Sequence, residues 1–410
     1  MELQVSAIGA LGILVLAGVA SHVFLRKTGF SDVLLLMLFG VAAGYLLPEA
    51  SVAGLSGIAL PFAAITLLMI ILDEGLNLSF ERLRRSAHKA IAFGLVSFSL
   101  ALVAGFLLSY FIMNYSFAFS LLIGALFGSV APELLSGFLA SLGASKEART
   151  LGEIESVLTD AISVILSLIL VAAVISGEGS VRALPVEIAF TVLLSIALGA
   201  VCAAAWRMFL SKTEHENQHL LVIGLAACLY AIAGAAGADS VIAVFTFAFF
   251  LGNIAHPSIE EMRRFQSEIS FFLRTFFFVY LGMLLFHSPK PVEIGLFALA
   301  LSLLLALARL AAGKLAGVME PSARANRLLE SVSARGLTVA ALSIVAYEEL
   351  SAAGAAPPID LPLLALFVIF FTNALSAWLV LKKGGRRKLQ EFGGGKADIG
   401  AIARGGMDSL

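Results

Sequence analysis

The chain has 410 residues, 60% of them hydrophobic and only 13% charged, with a mean hydropathy of +0.99. No soluble domain of this size needs so apolar a composition, so the sequence describes an all-α polytopic membrane protein. The formal net charge of -1 identifies no partner by itself, and no nucleic acid is expected; the placement of the charges is what informs.

Apolar runs with polar punctuation predict thirteen spans, at about 5–25, 30–47, 56–78, 87–112, 117–143, 149–176, 184–210, 218–236, 239–255, 267–286, 291–316, 327–348 and 361–381. The first run follows Glu2 with no basic stretch before it, so it reads as a span and not as a cleaved signal peptide. Alternate loops carry the basic residues: Arg26 and Lys27, Arg82 to Lys89, Lys146 and Arg149, Arg207 and Lys212, Arg263 and Arg264, Arg324 and Arg327, and the tail from Lys382. The intervening loops hold only Arg182 and Lys290, so the positive-inside rule places the amino terminus outside and the carboxyl terminus in the cytoplasm.

Span three ends in LDEGLNL, where Glu74 lies within about one turn of the cytoplasmic interface and would line an inward-facing vestibule. In span five, Gly128, Ser129 and Pro132 sit near the middle, and Pro132 removes a backbone donor and clashes with the preceding turn. The expectation is a broken helix, with Val130 and Ala131 extended, Pro132 starting the second half and Glu133 in its first turn.

Span six, LGEIESVLTDAISVILSLILVAAVI, places Asp160 and Thr159 at membrane depth. A carboxylate there costs about 3 kcal/mol or more, which makes it a proton or ion site by default. Ser156, four residues earlier, shares its face, while Glu155 points about 140° away. Span eleven carries Arg309 about as far from its cytoplasmic end as Glu155 is in span six, so the two are expected to pair, which leaves Asp160 without an assigned cation.

Arg274 in span ten is close enough to the cytoplasmic face to snorkel, toward Glu268. Span twelve is interrupted by Ser331, Ser333, Arg335, Gly336 and Thr338. Spans one to six and eight to thirteen then form two six-helix halves of opposite orientation joined by span seven. Spans five and twelve are their corresponding broken members, a pattern that points to an inverted-repeat secondary transporter.

Other chemistries lack support. Cys202 and Cys228 fall in apolar runs without metal spacing and read as small buried residues, and no HExxH, GxSxG or clustered Cys/His site marks an enzyme or a cofactor. The tail, 383–410, is glycine-rich and polar, and its GGGK lacks the spacing of a phosphate loop.

With LDEGLNL at 72–78, GSVAPE at 128–133, GEIESVLTDA at 152–161, ADSVIAVFTFAFFLGN at 238–253, FFLRTFFFVYLGM at 271–283, LARLAAGK at 307–314 and SARGLTVAAL at 333–342, the chain resembles the monovalent cation/proton antiporters, specifically their thirteen-span sodium/proton branch. The resemblance implies that Asp160 is the ion- and proton-carrying carboxylate, Ser156 a hydroxyl ligand, Glu74 a vestibule glutamate, and Glu155 with Arg309 a structural ion pair. It implies a membrane domain over 1–382, with a core at about 87–176 and 291–382 and a dimerisation scaffold at about 1–86 and 184–290. It further implies a homodimer, no cofactor beyond the transported ions, and a role in pH homeostasis. The chain departs from the family pattern where Thr159 replaces an Asn, and where Val130-Ala131 replaces Thr-Asp and leaves Glu133 as the nearest acid.

The expected activity is electroneutral exchange of Na+ or Li+ for H+ by alternating access in a prokaryotic plasma membrane. Asp160 would hold either ion with Ser156, Thr159 and backbone oxygens of the span-five break, so Asp160 and Ser156 would form the monovalent-cation site. Potassium/proton exchange is the alternative within transport, and a channel or sensor on the same scaffold is the alternative outside it.

Overall fold

A computed structural model describes residues 32–46, 49–78, 80–142, 144, 146–177, 184–210, 218–254, 257–283, 285, 290–315, 329–379 and 382, with positions 12, 16 and 18–21. At 46, 49–60, 82–88, 184–188 and some single positions, Glu133 among them, only the backbone is described. Most of the first predicted span, the basic loops at 316–328 and the tail at 383–410 lie outside the described residues.

The described elements are helical: α1 (Asp32–Leu46), α2 (Glu49–Asn77), α3 (Phe80–Leu107), α4 (Phe117–Leu126), α5 (Pro132–Ser141), α6 (Lys146–Ser176), α7 (Leu184–Leu210), α8 (Gln218–Ala235), α9 (Ser240–Gly252), α10 (Pro257–Met283), α11 (Pro291–Leu315), α12 (Leu337–Ala352) and α13 (Leu361–Leu379). Among the described residues, six helical segments are long and apolar enough to cross a membrane, in α3, α6, α7, α8, α11 and α13.

Span five is two helices. α4 begins on Ser116, whose hydroxyl accepts from the Phe119 N–H, and it ends after only 10 residues. Residues 129–131 are non-helical, and α5 starts at Pro132, where the missing N–H costs nothing. The second interruption is sharper than the span of 327–348 suggested: a helical turn ends at Ser331, residues 332–336 are non-helical, and α12 runs from Leu337 to Ala352.

Close helix approach depends on glycine. α3 and α4 meet where a Cβ on Gly124 would overlap the Leu102 carbonyl, and α2 and α9 meet where one on Gly252 would overlap the Leu76 carbonyl. The carboxyl ends of α2 and α9 are then capped by side chains. Arg263 donates to the Leu76 carbonyl at 2.9 Å and to the Gly252 carbonyl at 2.7 Å, placing a cation on two helix C-termini. Asn253 accepts from the Phe80 N–H at 2.7 Å and donates to the Leu78 carbonyl at 2.9 Å.

α3, α4, α5, α6 and α11 pack on one another, α1, α2, α7, α8, α9 and α10 do likewise, and α12 packs against members of both sets, on α6 and α4 and most extensively on α2. Between the groups, α12 touches α2 and α10, and α6 touches α9. Cys202 is half-buried on α7, and Cys228, expected to be buried, is exposed on α8, on an outer face where a small thiol meets no packing demand.

Candidate functional site

Breaking two helices inside an apolar body leaves carbonyls and amides that water cannot satisfy. The two breaks solve this partly by meeting: the Ala131 N–H donates to the Ala334 carbonyl at 3.1 Å. Side chains finish the work. On the α4 side, Ser163 of α6 donates to the Ala125 carbonyl at 2.7 Å, and Arg335 Nε donates to the Phe127 carbonyl at 2.9 Å. On the other side, Arg335 also donates to the Ser333 carbonyl at 2.9 Å, and α13 supplies Ser376 to the Ser333 N–H, Thr372 to the Arg335 N–H and Asn373 to the Arg335 carbonyl. Arg335 is thus a buried cation set on the carboxyl ends of two half-helices, where their dipoles favour positive charge.

α6 passes beside this crossing. Asp160 is buried, and the Thr338 hydroxyl, in the first turn of α12, donates to its Oδ2 at 2.8 Å. Glu74 and Ser129 also turn their side chains toward the Asp160 carboxyl, and Arg335 is its neighbouring cation. Thr338 belonged to the polar interruption of span twelve; its contact with Asp160, 178 positions away in sequence, is tertiary and carries no local signal.

Ser156 is buried and donates to the Glu153 carbonyl at 3.1 Å, and Thr159 is buried and donates to the Ser156 carbonyl at 3.0 Å. Both hydroxyl protons are therefore committed to their own helix, while the oxygen lone pairs stay available. Val130 is buried in the break, and Glu133 lies in the first turn of α5, its side chain outside the described residues. Glu155 accepts two bonds from Arg309, both at 2.9 Å, and Arg309 also donates to the Leu329 carbonyl and lies over the Phe93 ring.

A cavity of about 210 Å³ opens toward this region. Pro132, Val157 and Leu337 form one wall, and Asp73, Glu74 and Asn77 of α2 with Arg274 of α10 stand opposite. Glu74 therefore lines a cavity and also faces Asp160. Arg274 lines the same cavity, with its guanidinium over the Phe271 ring at 5.7 Å, and does not extend to the exposed Glu268.

A buried carboxylate beside the crossing of two interrupted helices, faced by a glutamate that lines a neighbouring cavity, defines an ion-coupled secondary transporter. The family described as sodium/hydrogen exchanger, transmembrane, matches residues 11–382, and the chain belongs to that family. Membership makes it an antiporter and not an enzyme. Among curated relatives, the probable Na(+)/H(+) antiporter 2 of Methanocaldococcus jannaschii is 25% identical over 297 residues, covering 67% of this chain and 68% of that one. The K(+)/H(+) antiporter NhaP of Alkalimonas amylolytica is 24% identical over 290 residues, 68% of this chain and about half of that protein. The fold is that of the sodium proton antiporter MjNhaP1 from Methanocaldococcus jannaschii, whose structure at pH 8 superposes with a TM-score of 0.78 at 20% identity, covering 93% of this chain and all of that one. An electron-microscopy structure of MjNhaP1 gives 0.74 at 21% identity over 96% of this chain.

Proposed function

We propose that Asp160 is the single site at which Na+ and H+ compete, and that this competition couples their movement. The observation that carries the reading is the placement of the Asp160 carboxyl, buried, hydrogen-bonded by Thr338 and set beside the crossing of two helix breaks. A partly dehydrated Na+ at this carboxylate needs hard oxygen ligands. Ser156 and Thr159 supply lone pairs because their protons are already donated, and the extended backbone around Val130 and the side chains of Ser129 and Glu74 add further oxygens. Glu133 is the remaining acid near the break. Li+ fits the same donor set.

Exchange is electroneutral on this reading. Glu155 is neutralised by Arg309 within the core, so Asp160 is the carboxylate of α6 at membrane depth left to exchange. A carboxylate that holds either one proton or one monovalent cation moves the same charge in both directions.

The two packing groups are read as the moving parts. The core comprises α3 to α6 with α11 to α13, and the scaffold comprises α1, α2 and α7 to α10, whose outer surface carries the homodimer contact. Displacement along the contacts of α12 with α2 and α10 exposes Asp160 to either side in turn. The thirteen spans form two inverted six-helix halves with broken members five and twelve, the amino terminus lies outside, and the cavity opens to the cytoplasm of a prokaryotic cell. This arrangement is supported by the paired breaks and by the alternation of basic loops.

Potassium/proton exchange is the second reading, favoured by the similarity to a protein named as a K(+)/H(+) antiporter. Proteoliposomes that report lumenal pH and membrane potential together decide between them. Sodium-driven pH change without a potential is expected; a response to K+ alone establishes the second reading, and a cation current down its gradient establishes a channel.

A further inference from the structure

The cavity lined by Glu74, which faces Asp160, holds a fixed cation of its own. Arg274 lines it opposite Pro132, Val157 and Leu337, and no carboxylate among the described residues lies within 4.0 Å of its guanidinium. Its contact is the Phe271 ring beneath it, at 5.7 Å. Asp73 lies within reach of its charge, but the Asp73 carboxyl is held by Asn77, which donates to Oδ1 at 2.9 Å and to the Asp73 carbonyl at 2.8 Å. The positive charge is therefore not cancelled by a contact ion pair.

We propose that Arg274 is an affinity-setting residue: a tethered cation in the cavity that weakens binding of the transported cation at Asp160. The proposal rests on Asp160 being the shared carrier site. A cation moving from the cavity to Asp160 crosses the field of the guanidinium, which acts over a short path in a partly buried, weakly screened space. Of the titratable groups on helices packed against α10, Asp73 and Glu74 of α2 line this cavity, whereas Asp32 of α1, His219 of α8 and Glu348 and Glu349 of α12 do not.

The same field acts on protons, and this gives the inference a distinctive signature. The apparent sodium constant is the intrinsic constant multiplied by one plus the ratio of proton concentration to the proton constant. Removing the positive charge strengthens both ions by the same factor. At alkaline pH, where protons do not compete, the apparent sodium constant falls by that factor. At acid pH the two gains cancel and the constant does not move.

The test measures the sodium dependence of proton flux in proteoliposomes from about pH 6 to about pH 9, where the ordinary competition of the two ions is sampled. Arg274→Gln is expected to lower the apparent sodium constant about three- to tenfold at the alkaline end, the size expected of one unit charge in such a site, and to leave it unchanged at the acid end. Arg274→Lys keeps the charge and should stay close to wild type across the range. Asp73→Asn, which removes the opposing charge, should raise the constant at alkaline pH and provides the same readout if the Gln variant does not fold. An alkaline constant unchanged in Arg274→Gln, or equal behaviour of the Gln and Lys variants, overturns the proposal while the carrier reading stands. Sodium-driven flux retained in Asp160→Asn removes the carrier reading and the proposal with it.

Discussion

Arg309 holds Glu155 through two parallel N–H···O bonds of 2.9 Å, with both side chains fully enclosed and Phe93 beneath the guanidinium. The pair ties α11 to α6 five residues from Asp160, so it fixes the helix without occupying the site. Breaking such a pair strands the partner charge and costs about 3–5 kcal/mol. Glu155→Ala should therefore lower yield and the thermal transition in detergent by a large margin, whereas Asp160→Asn should leave the transition near wild type. Equal transitions for Glu155→Ala and wild type would contradict the structural role.

Thr338 donates a short hydrogen bond to the Asp160 carboxyl, at 2.8 Å. Thr338→Val keeps the shape and removes the hydroxyl. The expected result is a rise in the apparent sodium constant at alkaline pH of about five- to tenfold, equivalent to one hydrogen bond of about 1–1.5 kcal/mol, with Thr338→Ser close to wild type. A constant that Thr338→Val does not change would place the threonine outside the binding shell.

The Ser156 hydroxyl donates to the Glu153 carbonyl at 3.1 Å and not to Asp160, and it leaves its lone pairs for a cation. Ser156→Ala should raise the apparent sodium constant more than it lowers protein abundance. Loss of abundance with an unaltered constant would make Ser156 a packing residue only.

How much of this was legible in the sequence follows from how local each signal is. Asp160, Glu155 and Arg309 stand out because charge inside an apolar run is costly wherever the run folds, and Pro132 announces its break through backbone chemistry alone. The crossing itself was not legible: the Ala131 to Ala334 bond and the Arg335 cap on the Phe127 carbonyl join segments about two hundred residues apart. Arg274 misled for the same reason. Its depth suggested a snorkelling side chain, but the cavity that it enters is built by α2 and α10 together. Span twelve was expected to end at about 348, and α12 runs four residues further, to Ala352.

Gly124 tests the packing that holds the broken helix in place. A Cβ there meets the Leu102 backbone, which has no rotamer to yield. Gly124→Ala should push α4 from α3 and destabilise the protein by about 1–3 kcal/mol, read as a lower thermal transition. An unchanged transition would show that the two helices separate without penalty.

The central claim is competition of sodium and proton at Asp160. The direct measurement is proton flux in proteoliposomes carrying a lumenal pH dye, with Na+, K+ or Li+ added in turn to wild type and to folded Asp160→Asn. Cation-driven pH change in wild type, strongest with Na+ or Li+ and absent in Asp160→Asn, is the predicted result. Exchange that persists in Asp160→Asn would mean that another group carries the proton.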